Sequence, residues 1–479
     1  MKTFIQVLSA DEKDHVHKQS IRILEEVGIK FPSERVLALL EKHGAKVDWD
    51  KQIAYISEAM VKNTLSSAPK EFTLGGRDPE FDLKLPRLGT VYNLDYGGLW
   101  TYDYNLGKKR KSLTEDIVNA ARIFDEIDIG YVACGAVSPT EDTVPPIAES
   151  IFGMGLMYKN CRKHLQDEIK DTRETDYMVN LLKAILGSVE EVKKRKIYSV
   201  TYCAISPLAH EAEMMEATMD LCHYDVPILA FPMAGAGSTA PASLASTIAM
   251  ANAEILSIFV LFQCENPGVP IIYGDTSVVT NRRTGLLVTG SAEAALISAA
   301  MQEMASYYGL PSQIGGCGTD AKEPGIQAVI EKTLTTLPLV MTETDIIQGI
   351  GTLDAAMLFS LEQMLIDEEI AMMCKRLRDG INFSPEMDFF EDIKAVGPTG
   401  HFLKQKNTRA AFRSAEYYNP TLADRDTYED WIKLGSPDMY KNAHKRVNEI
   451  LAAEQKNPLP ANVIKEIDEI VEEASRVLV

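Results

Sequence analysis

Ile314-Gly315-Gly316-Cys317-Gly318-Thr319-Asp320-Ala321-Lys322 is bracketed by two helical stretches, residues 291–309 and 326–340, and residues 311–314 read as a short buried strand leading into it. Three glycines within four residues allow a sharp turn and a close approach of backbone to a ligand. Strand, glycine-rich loop, helix is one unit of an alternating β/α chain, in which sites sit in loops leaving the C-terminal ends of strands.

The same unit repeats on both sides. Strand-like and helix-like segments alternate as 128–137 with 147–159, 164–166 with 172–186, 197–205 with 210–223, 227–232 with 241–263, 270–273 with 292–308, 311–314 with 326–340, and 345–347 with 361–378. Most of these strands are short and apolar on both faces, as expected for a parallel sheet covered by helices. Alternation this long specifies a closed barrel or a doubly wound sheet. No G-x-G-x-x-G fingerprint and no Walker lysine loop opens the series, which favours an α/β (β/α)8 barrel. Seven strands are visible, and the eighth is expected near 388–395 or near 91–95. Residues 10–70 carry helical rhythm with Ser33 and Ser57 as caps. Residues 71–110, rich in glycine and spaced aromatics, read as hairpins. The predicted organisation is an N-terminal helical and hairpin extension over 1–113, the barrel over 114–400 and a C-terminal helical tail over 401–479.

Composition excludes several functions. The chain has 479 residues and a net charge of −20, from 69 acids against 49 bases. Nucleic acid and anionic membranes are bound by clustered Lys and Arg, so neither is an expected partner. The first fourteen residues hold no apolar signal core, and the seven scattered cysteines form no C-x-x-C pair. Reduced thiols and a cytoplasmic location are therefore expected.

The strand ends supply the candidate site. They offer the acids Asp275, Asp320 and Glu362, the amide Gln348, and the rings Tyr96, Tyr202, Phe231 and Tyr273. Tyr96, beside Gly97-Gly98, is the ring of the hairpin segment most suited to a pocket. No His/Cys/Asp cluster at metal-ligand spacing is present, so no bound metal is expected. No G-x-S-x-G elbow occurs, and Cys317 has no His near it in sequence to act as its base. Rings and acids without a general base suit a cation, which aromatic faces attract by ~0.5–2 kcal/mol per good contact.

Phe231-Pro232-Met233-Ala234-Gly235-Ala236, Ala251-Asn252-Ala253-Glu254, Tyr307-Tyr308-Gly309-Leu310-Pro311 and Gly315-Gly316…Thr319-Asp320-Ala321-Lys322…Gln327…Glu331-Lys332 together resemble the trimethylamine methyltransferase superfamily, in order, from about residue 10 to the end. The resemblance implies a (β/α)8 barrel that moves a methyl group from an amine to the Co(I) of a corrinoid (cobalamin) carried by a separate protein. Archaeal members carry pyrrolysine in the loop that here reads Gly316-Cys317-Gly318. Its absence implies a member of the kind that demethylates quaternary amines such as glycine betaine, proline betaine or carnitine. Tyr96, Phe231 and Tyr273 are then expected to cage the ammonium, with Asp275, Gly316 and Cys317 beside it and Asp320 orienting it. Gln348 or a backbone amide would hold a carboxylate, with Arg282 and Arg283 as alternatives. The expected partners are a small quaternary amine and the corrinoid protein, and a homo-oligomer is expected. A tertiary-methylamine enzyme and a non-catalytic amine-binding barrel remain the alternatives.

Overall fold

The computed structural model of the chain describes residues 5–139 and 144–478. Residues 1–4, 140–143 and 479 lie outside that description, and with them the two ends of the expected extension and tail and part of the loop after 128–137. Eight parallel strands close into a barrel in sequence order: β1 Val91–Leu94, β2 Gly130–Ala133, β3 His164–Asp167, β4 Tyr198–Tyr202, β5 Ile228–Ala230, β6 Ile271–Asp275, β7 Ser312–Gly315 and β8 Ile346–Ile350. Each is followed by a helix on the outer face: α1 Thr114–Asp125, α2 Glu149–Asn160, α3 Thr172–Leu186, α4 Ala212–Cys222, α5 Leu244–Glu265, α6 Ala292–Tyr308, α7 Ile326–Met341 and α8 Leu361–Asp379.

The closing strand is β1, which pairs Val91 with Ile346 and Tyr92 with Ile347 on one side and Tyr92 with Gly130 on the other. The barrel therefore starts at Val91, inside the segment assigned to the extension, and the boundary at 114 is corrected accordingly. The rival candidate, 388–395, falls on the short helix Phe390–Val396. β1 was ambiguous because Val91, Tyr92, Asn93 and Leu94 are all buried, so no period-2 alternation marks it. A hairpin, Trp100–Asp103 with Lys108–Lys111, also separates it from α1. That hairpin joins Thr352–Leu353 and Leu358–Phe359 in a small sheet above the barrel. A second hairpin, Phe72–Leu74 with Leu83–Leu85, plugs the opposite end. Its Leu74, Leu83 and Leu85 pack on Val91, Val132, Leu229, Ile272 and Ile346 inside the barrel.

The N-terminal layer consists of helices Ala10–Arg22, Glu34–Lys42 and Glu58–Ser67, N-capped by Ser9, Ser33 and Ser57. All three pack on α5. A helix covered on every side need not be amphipathic. Accordingly α5 is buried from Thr247 to Gln263, and it is long and apolar enough to cross a membrane, although 83% of its most apolar window is buried here. The tail is equally integral. Helix Met439–Ala452 packs on α8 and α1, and helix Ala461–Val477 on α2 and α3.

Candidate active site

The C-terminal ends of the strands surround a cavity of about 430 Å³. Its wall is asymmetric. From β1 to β3 it carries Asp95, Tyr96, Glu149, Asp167 and Glu168, with Lys170 the one base among the described lining residues. From β4 to β8 it carries Thr201, Cys203, Phe231, Met233, Thr276, Thr289 and Gln348. Lys170 Nζ lies 3.9 Å from Glu149 Oε2, so three acids, Asp95, Asp167 and Glu168, stand beyond that pair. A wall with this balance can attract a cation.

Local sequence explains how these groups are held. The Asp95 side chain accepts from Gln348 Nε2 at 2.7 Å and from the Tyr96 backbone N–H at 2.9 Å. Burial pushes its carboxyl above the ordinary value despite those donors. The Tyr96 loop leans on the loop after β2, with Gly97 N donating to Ala136 O at 2.6 Å and Ser138 N to Gly98 O at 3.0 Å. A Cβ at Gly97 would come within 2.6 Å of Phe359 Cβ, so only glycine permits that approach. The Tyr96 hydroxyl contacts Ser138 Oγ. Phe231 fills space left by Gly274, where a Cβ would stand 2.8 Å from its ring. Burial drives the Asp167 carboxyl up to about 7, and Glu168 accepts from Cys203 Sγ at 3.3 Å.

The floor is a polar net inside the barrel. Gln313 Nε2 donates to Gln166 Oε1 at 2.7 Å and to Gln348 Oε1 at 3.0 Å, and Asn93 Nδ2 donates to Gln166 Oε1 at 3.1 Å. Gln348 links this net to Asp95. A fully satisfied buried net fixes side-chain positions more tightly than apolar packing does.

Of the residues expected from sequence, Tyr96, Phe231 and Gln348 line the cavity, and five do not. Tyr273 and Asp275 alternate outward from β6. The Tyr273 hydroxyl donates to Asn252 Oδ1 at 2.7 Å beneath α5. Asp275 accepts from Ser277 N and Oγ at 2.9 and 2.7 Å, and burial holds its carboxyl near 7. Gly316 backs onto Leu339 and Ile347. Cys317 has φ +49° and is buried, with its thiol pushed up to about 12 by burial and its carbonyl accepting from Lys332 Nζ at 2.8 Å. That same Nζ binds Gly349 O at 3.0 Å and Asp367 Oδ2 at 2.8 Å, and both ionic side chains are fully buried. Asp320 accepts from the backbone N–H groups of Thr289 and Gly290, both at 3.1 Å. It braces the turn into α6 and stands outside the cavity wall. Tyr202 also points outward, bonded to His210 at 2.9 Å.

Asp95, Glu149, Asp167 and Glu168 were not singled out from sequence. Asp95 lies within the Tyr92–Gly98 stretch, where the ring beside it drew the attention. Asp167 ends β3 and Glu168 follows it; the stretch 164–166 holds one apolar residue, Leu165, and its end offers no glycine pair or ring to mark a site. Among the described residues no group of three or more His, Cys, Asp and Glu is arranged to hold a metal ion.

A model of the family described as trimethylamine methyltransferase matches residues 2–477. A glycine betaine methyltransferase of Desulfitobacterium hafniense is 32% identical over 466 residues, covering 96% of this chain and 95% of that one. A trimethylamine methyltransferase of Methanosarcina barkeri is 32% identical over 487 residues, covering 98% and 96%. Among solved structures, the monomethylamine methyltransferase of Methanosarcina barkeri superposes with a TM-score of 0.55 at 11% identity, over 93% of this chain and 89% of that one, which speaks to the fold alone.

Proposed function

From the premise that the chain is a methyltransferase belonging to the trimethylamine methyltransferase family, we propose that it takes a methyl group from a quaternary amine of the betaine type and delivers it to the corrinoid of a separate protein. The observation that carries this reading is the cavity wall: two rings, Tyr96 and Phe231, and four carboxylic acids against one lysine. The 32% identity to a glycine betaine methyltransferase supports a betaine, as does the ordinary loop Gly316-Cys317-Gly318 where archaeal relatives of the resembled kind carry pyrrolysine.

The acceptor, a Co(I) corrinoid, supplies the nucleophile. The chain's own residues hold and orient the donor. A quaternary nitrogen already carries the charge that makes a neutral tertiary amine depart, so no proton is needed at the nitrogen. Tyr96 and Phe231 offer ring faces to the N-methyl groups, and Asp95, Glu149, Asp167 and Glu168 compensate the charge. Holding one methyl toward the open end of the barrel is catalysis by orientation.

The direct test mixes the purified chain with free cob(I)alamin and glycine betaine, proline betaine, carnitine, choline or trimethylamine, and follows conversion to methylcobalamin by absorbance. Methylation from a quaternary amine is expected. Methylation from trimethylamine alone would overturn the reading, and ligand-dependent thermal stabilisation with no methylation would identify a binding protein.

The reading also fixes a pH dependence. Asp167 titrates near 7, and its ionised form is the one that attracts a cation. As pH rises from 6 to 8, kcat/KM for the amine is expected to rise about five- to tenfold, because the ionised fraction grows by that ratio around such a pKa. Asp167→Asn should flatten the profile. A profile that keeps its slope in that variant would assign the titration elsewhere.

A further inference from the structure

The glycine-rich loop after β7, though outside the main cavity wall, walls a second, smaller cavity of about 60 Å³. This side chamber is lined by Gly315, Gly316, Gly318 and Gly349 together with Ser298 and Thr335. It shares Asp95, Thr276, Val278, Thr289, Gln348 and Ala356 with the main cavity, so the two adjoin across these residues. The glycines let the loop pack directly against Thr276 and Thr289 of its wall. A Cβ at Gly315 would fall 2.3 Å from Thr276 Oγ1, and one at Gly318 would fall 3.0 Å from Thr289 O and 3.3 Å from Thr289 Oγ1.

Thr289 stands where the two cavities meet. Its Oγ1 is buried and has no hydrogen-bond partner, which costs ~1–3 kcal/mol unless a ligand supplies the bond. Its backbone N–H is tied to Asp320 at 3.1 Å, so the residue is anchored with its hydroxyl free. Water occupies ~30 Å³ in the liquid, so the chamber is sized for two waters, or for a group of three or four heavy atoms. The chamber side is the less acidic one, with Asp95 the one acid that lines it among the described residues. The acids other than Asp95 lie toward β2 and β3, and hydroxyls lie on the chamber side.

We infer that the side chamber receives the one non-methyl arm of the amine, and that Thr289 is the specificity-determining residue that hydrogen-bonds an oxygen at the end of that arm. The inference rests on the proposed quaternary-amine reading and narrows it to an ammonium with one short arm ending in a carboxylate or hydroxyl oxygen. An amine carrying methyl groups alone leaves Thr289 unpaired and the chamber unfilled. Sites built to bond a polar group discriminate strongly against analogues that lack it.

The test is binding, measured on the full chain alone by calorimetry, so that it does not depend on methyl transfer. The probes are glycine betaine (a carboxylate arm), choline (a hydroxyl arm) and tetramethylammonium (no polar arm). The wild type is expected to bind at least one armed amine tenfold or more tightly than tetramethylammonium. Thr289→Val should reduce that ratio at least tenfold, and Thr289→Ser, which keeps the hydroxyl, should retain it. Gly318→Ala should lower the ratio in the same direction by narrowing the chamber. A purely structural role for Thr289 would shift all three affinities together and leave the ratio in place. Equal binding of the three amines by the wild type, or a ratio unchanged in Thr289→Val, would overturn the inference. Discrimination in binding with no methylation of cob(I)alamin would sustain it and remove the transferase reading instead. Glycine betaine and choline, compared with each other, identify the arm.

Discussion

Asp95→Asn is expected to slow methyl transfer about 100-fold. The Asp95 carboxylate lines both cavities and is held by Gln348 and the Tyr96 N–H. A unit charge about 5 Å from an ammonium, at an effective dielectric of about 20, contributes ~3 kcal/mol, which corresponds to the stated factor. The substitution keeps size and one acceptor oxygen, so the melting temperature should move by no more than a few degrees. Asp320→Asn is the contrasting variant. It should leave transfer within about threefold, because Asp320 faces the amides of Thr289 and Gly290. It should cost ~1 kcal/mol of stability, a weakened charge-assisted pair of hydrogen bonds. Measuring methylcobalamin formation and melting on the same preparations separates the two. Slow transfer in Asp320→Asn with normal transfer in Asp95→Asn would move the ammonium from the cavity centre to the glycine-rich loop.

Lys332→Met should be the most destabilising single change, at ~3–5 kcal/mol. Lys332 and Asp367 are both fully buried and 2.8 Å apart. Burial lowers the Lys332 pKa, but the Asp367 carboxylate more than offsets it, and the ammonium stays above its ordinary value. Removing the lysine leaves a buried carboxylate answered only by Gly351 N and Gln363 Nε2, each at 2.8 Å. It also removes the Nζ donor from the Cys317 carbonyl and leaves the Gly349 carbonyl with Thr352 Oγ1 alone, at 3.1 Å, which loosens the loops beside Gln348, so transfer should fall about tenfold as orientation is lost. Adding Asp367→Leu should restore much of the stability, since replacing both charges removes the desolvation cost along with the attraction. The measurement is the denaturant midpoint of the two single variants and the double variant. A loss below about 1 kcal/mol in Lys332→Met would mean that the pair does not hold these loops.

The barrel was legible because seven of its strands are each followed by a helical period and most of them carry the short, doubly apolar runs of buried parallel strands. β1 was not, because its four residues are buried without alternation and its crossover contains a hairpin. The make-up of the cavity wall, rings and acids, was legible in kind, and only partly at the level of residues. Tyr96, Phe231 and Gln348 line the cavity. Tyr273 and Asp275 do not, because the period of two along β6 turns both toward the helices while Gly274 faces inward, and which parity faces the lumen depends on register that local sequence does not encode. The loop containing Cys317 and Asp320 combined glycines with reactive side chains, the usual signature of a site. Its reactive groups instead secure the loop, and its glycines shape the side chamber.

The covering of α5 by the N-terminal helices has a consequence for biosynthesis. The covering layer, Ala10–Ser67, leaves the ribosome long before Leu244–Glu265 does, and domains fold in that order as they emerge. When the apolar helix appears, its cover has already been made. A chain of the same composition with the layer appended at its end would present a membrane-length apolar segment to the cell's targeting machinery throughout the remainder of translation. The order of the chain thus places the cover, Ala10–Ser67, ahead of the helix it covers.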